Sequence, residues 1–354
     1  MINLLRYLLI CLCPLWLMAA SRFELVKLAD GVYATVRTEP PGFGVESNSV
    51  FIINEQDVVV VDAQSNLAAT REVVRALRSL TDKPVRYVVN THWHDDHIVG
   101  NQVYREAYPG VSFIGHTKAR DYLQDAGLRA RERFHRDDVP QFAAMLRKAL
   151  ADGKSLAGKP LTDEERQSYQ SDLVLAEGYA TVPPDFRPPL PDLTVDNSLT
   201  LWRGERSIEI RYLGRGHTSG DLVVYLPSEG IVCAGDLIVW PIPLIGGDQS
   251  HVADWSATLG RLAALKPSLI VPGHGPLLRD DRYLLQMQNL MRVVTERTHS
   301  AMAGGTTLEQ VQKTVKLDDL RRSFAGDSPV RNLLFSSYVA GPAVTSAYHD
   351  LQGG

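Results

Sequence analysis

Short β-branched and apolar runs, each closed by turn residues, recur along the first third of the chain. On that pattern Val32–Arg37 and residues 48–53 and 58–62 are predicted strands. Leu67–Leu80 repeats apolar residues at 67, 73, 74, 77 and 80, which is the spacing of one helical face. Residues 85–90 predict another buried strand, 98–108 a helix ended by Pro109 and Gly110, 111–115 a strand, and Thr117–Gln124 the start of a helix. From about residue 128 to Pro191 the texture is charged and helix-prone, with apolar positions at 142, 145, 146, 149 and 150, and it ends in a Pro-rich run. This segment reads as a helical insertion.

Strand texture then returns at 199–203, 207–213, Leu222–Leu226 and 230–234. A helix at about 253–266 follows, then a strand at 269–272 and a long amphipathic helix at 282–303. The tail from Leu308 onward is predicted to be helical, with residues 333–351 forming a closing helix or a dimer surface. Strands and helices alternate in both halves, so the fold class is α/β. Two sheets packed face to face with helices outside fit that order, although periodicity does not fix the arrangement.

Composition narrows the picture. The 354 residues carry 37 basic and 41 acidic side chains, a net charge of −4, without the basic excess of a nucleic-acid binder. At 44% hydrophobic and 22% charged the chain has the material for a large core. Residues 1–21 stand apart: Arg6, an apolar stretch from Tyr7 to Ala20 and the small residues Ala19-Ala20-Ser21 read as a signal peptide. Its removal leaves Cys233 as the one cysteine, with no internal disulfide and no stable membrane insertion. The expected location is periplasmic or secreted. The expected division is 1–21 signal peptide, 22–303 catalytic domain with the insertion at about 128–191, and 304–354 C-terminal helical extension.

The candidate chemistry starts at His92-Trp93-His94-Asp95-Asp96-His97, directly after a buried strand. Alternate residues of an extended chain share a face, so His92 and His94 point together. Asp96 and His97 fall where the chain turns into a helix and face a second point nearby. Three later strands end in similar groups: His217 in a glycine-rich loop, Asp236 after Cys233-Ala234-Gly235, and His274 between two glycines. Imidazoles and carboxylates together suit zinc, and also iron or manganese. Five histidines and two aspartates exceed the needs of one tetrahedral ion and suit two ions sharing a bridge.

The His-x-His-x-Asp-His signature, followed in order by His217, Asp236 and His274, resembles the metallo-β-lactamase-fold hydrolase superfamily. The resemblance covers about Asp30 to Gly275 apart from the insertion. It implies a four-layer αβ/βα sandwich with metals in a groove at one edge of the sheets. It implies one metal on His92, His94 and His217, a second on Asp96, His97 and His274, Asp236 as the bridge, and Asp62 supporting the ligands from behind. His94 stands where oxygen-reducing diiron relatives carry glutamate, so the resemblance is to hydrolytic members. Asp236 is the pattern of thioesterase, lactonase and phosphodiesterase relatives, whereas zinc β-lactamases generally lack it. Cys233 reads as a small buried strand residue.

The expected function is therefore that of a binuclear zinc hydrolase acting on a small-molecule ester, lactone, thioester or β-lactam. Hydroxide between the metals is the nucleophile, and Asp96 orients it and relays its proton. The alternatives are a phosphodiesterase of the same fold, and a periplasmic metal-binding accessory protein of a quinoprotein or sulfur-oxidation pathway. A homo-oligomer is compatible with the sequence. His116, His135 and His251 are candidates to reach substrate, whereas His299 and His349 read as surface or core positions. Residues 240–247 are a candidate apolar wall, the insertion is a candidate lid, and Trp93 is expected to point away from the ligands.

Overall fold

The computed structural model describes residues 22–246, 249–303 and 307–353; the N-terminal segment read as a signal peptide lies outside them. Among the described residues, no helix is long and apolar enough to cross a membrane. The first sheet runs β1 (Phe23–Ala29), β2 (Val32–Arg37), β3 (Ser49–Ile53), β4 (Val58–Val61), β5 (Val85–Val89), β6 (Ser112–His116) and β7 (Leu193–Val195), paired in that order. Its first four strands form an antiparallel meander and the rest pair parallel.

The second sheet has the order β12 (Leu269–His274), β11 (Ile231–Val239), β10 (Leu222–Leu226), β9 (Arg206–Tyr212) and β8 (Ser198–Arg203). Only β11 and β12 pair parallel. The run Val58-Val59-Val60-Val61 shows why the sheets stack. All four valines are buried because alternate side chains leave opposite faces. Val59 and Val61 join Val50, Ile210, Val224 and Val271 in the core between the sheets. Val58 and Val60 pack outward against Val73, Val74 and Leu77 of α1 (Leu67–Leu80). On the far side of the second sheet, Val232 and Ile270 meet α8 (Val252–Ala263) and α9 (Arg282–Ala301) through Trp255, Leu259 and Leu290. Helix, sheet, sheet and helix thus make the four-layer αβ/βα sandwich of the sequence reading.

Four local features differ from that reading. The segment 98–108 is two helices, α2 (Asp95–Ile98) and α3 (Asn101–Ala107). They break at Gly100, where a Cβ would sit 2.3 Å from Thr70 Oγ1. The strand ending at 234 continues to Val239, turning at Gly235 with φ +51°. Strand β1 lies at a sheet edge with half-exposed, mixed side chains, and β7 has only three residues, so neither carries a strong apolar signal.

After α4 (Thr117–Gln124), the insertion forms α5 (Ala126–Arg133), a π-type turn over Phe134–Asp138, α6 (Val139–Asp152) and α7 (Asp163–Tyr179). Helices α6 and α7 pack through Leu146, Ala149 and Tyr169. Helix α7 begins with a reciprocal cap between Thr162 and Glu165. The tail is α10 (Leu308–Thr314), α11 (Asp318–Ala325), α12 (Pro329–Phe335) and α13 (Gly341–Leu351), joined to the second outer layer through Val311, Phe335, Val344 and Ala347.

Candidate metal centre

All the candidate side chains stand on loops and strand ends at one rim of the sandwich. His92 and His94 follow β5, Asp96 and His97 lie in α2, His217 is in the β9–β10 loop, Asp236 is in β11, and His274 ends β12. The 90–97 turn is held by side chains that bond its backbone carbonyls. Asn90 Nδ2 donates to His97 O at 2.8 Å, and Ser47 Oγ donates to Asp96 O at 2.6 Å. Two glycines are required by close approach. A Cβ at Gly273 would fall 1.9 Å from Asp236 Oδ1, and one at Gly235 would fall 2.5 Å from Thr91 Oγ1.

Two groups of ligand atoms result: His92, His94, His217 and Asp236 in one, and Asp96, His97 and His274 in the other. Within each group the atoms lie within 4.8 Å of one another. Asp236 faces both. Its Oδ2 lies 3.5 Å from His217 Nε2 and 3.9 Å from His92 Nε2. Its Oδ1 lies 3.3 Å from His97 Nε2 and 3.2 Å from His274 Nε2. Asp96 Oδ2 closes the second group at 3.2 Å from His97 Nε2 and 3.0 Å from His274 Nε2.

The backing of each ring fixes which nitrogen points inward. His97 Nδ1 donates to Asp62 Oδ2 at 2.9 Å, His274 Nδ1 to Glu46 O at 3.0 Å and His217 Nδ1 to Leu244 O at 2.8 Å. His92 Nδ1 lies 3.1 Å from Thr91 Oγ1, which itself donates to Asp62 at 2.8 Å. These four rings therefore aim Nε2 at the centre. His94 is reversed: its Nδ1 lies 2.9 Å from His217 Nε2, and its Nε2 faces Gln249 Oε1 at 3.5 Å. Such outer hydrogen bonds set tautomer and orientation in metal sites. Asp62 sits behind the ligands with an unusual φ of +59° and also accepts from Thr91 N at 2.8 Å.

The inward atoms have no other use in the fold. His92 Nε2, His97 Nε2, His274 Nε2, Asp96 Oδ2 and Asp236 Oδ1 are all buried without a hydrogen-bond partner. Five such atoms converging on one spot would be costly in a dry interior. A cation satisfies them together, so this donor set fits bound metal.

The electrostatics agree. Burial holds His92 well below the ordinary imidazole value, lowers His94 and brings His217 down to about 3, leaving neutral rings with free lone pairs. Burial pulls His97 and His274 the same way, but the carboxylates outweigh it. Asp96, Asp62 and Asp236 keep His97 well above its usual value, and Asp236 with Asp96 lifts His274 to about 10. Asp96 and Asp236 stay ionised against burial because His97 and His274 face them. One group offers neutral donors, and the other is a pocket of negative potential that draws positive charge.

The rim opens into a cavity of about 550 Å³ whose floor includes His94, Asp96, His217 and Asp236. The insertion, Leu244, Ile245 and Tyr338 of the tail contribute to its walls. The insertion thus forms part of the groove's wall, and Leu244, Ile245 and Gly246 of the 240–247 segment line it. Trp93 packs on Tyr122 at 4.7 Å between ring centroids, and both rings line the cavity.

Three sequence candidates for substrate contact do not line the cavity. His116 caps α4 through Nδ1 at 3.0 Å from Lys118 N and lies on Tyr212. His251 faces Asp350 at 3.0 Å. His135 is buried against Asp95, with its Nδ1 donating to Tyr179 O at 3.2 Å. Cys233 packs in the core between the sheets, where burial pushes its thiol up. His299 and His349 are exposed.

The sequence reading missed the brace on the ligand turn. Asp95, between His94 and Asp96, receives Arg131 Nε at 3.0 Å as well as His135. Arg131 also donates to Phe186 O at 2.6 Å. A signal was present, since Arg131 and His135 are four residues apart and share a helical face.

Comparison with known proteins agrees with the fold. The family model of the metallo-beta-lactamase superfamily matches residues 42–274. Similar proteins include the metallo-beta-lactamase type 2 of Bacteroides fragilis, 26% identical over 258 residues, covering 71% of this chain and 79% of that protein. A linear primary-alkylsulfatase of Pseudomonas sp. (strain ATCC 19151) is 24% identical over 279 residues. That match covers 74% of this chain but only 48% of the alkylsulfatase. Among solved structures, the DIM-1 metallo-beta-lactamase aligns with a TM-score of 0.51 at 18% identity, covering 77% of this chain and 98% of its own. A metallo-beta-lactamase from Pontibacter korlensis aligns at 0.50 and 19%, covering 76% of this chain and 99% of its own.

Proposed function

Because the chain belongs to the metallo-beta-lactamase superfamily of hydrolases, we propose that it is an exported, binuclear zinc-dependent hydrolase of a small carbonyl substrate: an ester, lactone, thioester or β-lactam. The carrying observation is Asp236, which offers one carboxylate oxygen to each group of ligand atoms. His92, His94 and His217 would hold the first ion, Asp96, His97 and His274 the second. Zinc held there would supply water acidified to near neutrality and a Lewis acid for the substrate oxygen.

The remaining work falls to the chain. Asp96 would hold the second ion through Oδ2, which leaves its other carboxylate oxygen to orient the attacking water and relay its proton to the leaving group. Asp62 keeps His97 in one tautomer. Export rests on Arg6 and the apolar stretch from Tyr7 to Ala20.

The test is metal analysis followed by a panel of p-nitrophenyl acetate, a lactone, a thioester, nitrocefin, bis-p-nitrophenyl phosphate and an alkyl sulfate. The expected result is about two zinc ions per chain and turnover of a carbonyl substrate that is lost on chelation and restored by zinc. Turnover confined to the phosphodiester or the sulfate moves the scissile bond to phosphorus or sulfur. Metal-loaded protein inert across the panel makes it a binding or accessory protein.

A further inference from the structure

The cavity above the metal centre has a composition that the hydrolase reading leaves unexplained. Its walls come from three distant parts of the chain and are mainly aromatic and aliphatic. Phe43 lies between Phe142 of the insertion and Tyr338 of the tail, with ring centroids 5.9 and 5.7 Å away. Tyr122, Phe134 and Ile245 continue the lining.

Several of the polar groups in these walls are already engaged. Tyr338 Oη donates to Phe43 O at 3.0 Å and Tyr179 Oη to Val45 O at 3.1 Å, so these tyrosines spend their hydroxyls on the loop behind them. Arg131 is bound to Asp95. The remaining lining charges, Arg133 and Asp138, are exposed and opposite in sign, so they set no strong preference for a charged ligand. At about 550 Å³ the space is within the range of small-molecule sites, and its polar chemistry is gathered at the floor.

Resting on the hydrolase reading above, we infer that the cavity selects substrates with an extended apolar body, namely medium-chain or aryl-substituted esters or thioesters. The electrophilic carbon lies over the floor and the hydrocarbon lies among Phe43, Phe134 and Phe142. In the reaction, water oxygen adds to the acyl carbon, the bond from that carbon to the ester oxygen or thioester sulfur breaks, and the alcohol or thiol leaves with a proton from water.

Each buried methylene contributes roughly fourfold to affinity, so chain length is the readout. The experiment uses zinc-loaded full-length protein. Calorimetric binding of butanoate, hexanoate and octanoate is measured beside turnover of the corresponding p-nitrophenyl esters. Binding is expected to tighten about fourfold per methylene, with KM falling in parallel. Phe142→Asp is expected to flatten both gradients. Phe134→Ser, at a position 39% exposed and therefore tolerant, does so more weakly and serves if Phe142→Asp does not fold.

Alkanoate affinities independent of length, or gradients unchanged in the folded variants, overturn the inference. A steep alkanoate gradient with no ester turned over, and no turnover across the wider panel, leaves the cavity assignment standing and removes the hydrolase reading. Esters turned over equally at every length, with flat binding, do the reverse.

Discussion

The floor and the walls of the cavity are built on opposite principles. The floor is polar, largely buried and short-range: four of its seven candidate ligands fall between His92 and His97, and four of its five rings are fixed by a hydrogen bond from behind. The walls are apolar and assembled from the loop after β2, the insertion and the tail, whose members meet only in the folded chain. Chemistry requires geometry fixed to fractions of an ångström, which rigid strand ends supply. Selecting a substrate body requires only shape and apolar area, which helices added to the rim supply. Changes in the floor should therefore alter whether the protein binds metal and reacts, and changes in the walls which substrate it takes.

The largest effect belongs to the floor. His94→Ala removes a nitrogen that no neighbour replaces, and turnover is expected to fall to the uncatalysed rate with loss of bound metal, checked by kinetics and elemental analysis. Near-normal turnover would break the distinction between floor and walls. Asp62→Asn comes next: the ligands remain but His97 loses its carboxylate partner, and metal affinity should drop about 10- to 100-fold in chelator competition.

Arg131→Met and His135→Phe sharpen the comparison, because these residues belong to the insertion yet act on the floor through Asp95. Metal affinity and turnover are expected to fall by roughly tenfold. Arg131→Lys should recover part of the loss because it restores a cation to Asp95. An unchanged metal affinity would show that the insertion serves the walls alone.

The smallest effect is expected at Asp172, which joins the insertion to the loop after β2. Its carboxylate accepts from Phe43 N at 3.0 Å and Gly44 N at 2.9 Å, while burial lifts it from 3.8 to about 6. A folded value above the unfolded one means the folded chain holds this proton longer. Its contribution therefore turns unfavourable as pH rises from about 4 to about 6. Asp172→Asn should gain stability relative to the parent over that window, by on the order of 1–2 kcal/mol, in denaturant titrations at pH 4 and pH 7. A gap that closes with rising pH would reverse the sign.

The same contrast governs what the sequence discloses. Strands such as β2 and β4 are legible because buried β-branched residues stand between turn residues, and α1 because its apolar face repeats at helical spacing. The ligand set is legible because imidazoles and carboxylates cluster at strand ends, where little but chemistry justifies them. The backing of each ring is largely silent, since Leu244 and Glu46 act through backbone carbonyls that any residue carries. The walls are silent for another reason. Nothing local to Phe43 tells that Tyr338, 295 positions later, will hold its carbonyl. His135 shows the limit of residue-type reasoning: a histidine in the insertion suggested substrate contact, but its ring is spent holding Asp95.

Asp236 carries the account, and elemental analysis of the purified, zinc-equilibrated parent and Asp236→Ala chains, run beside their turnover, tests it most directly. About two zinc ions per parent chain are expected. The variant should lose at least one of them together with its activity. A parent chain that takes up one zinc or none, or an Asp236→Ala chain that keeps both ions and full turnover, would contradict the bridged binuclear centre.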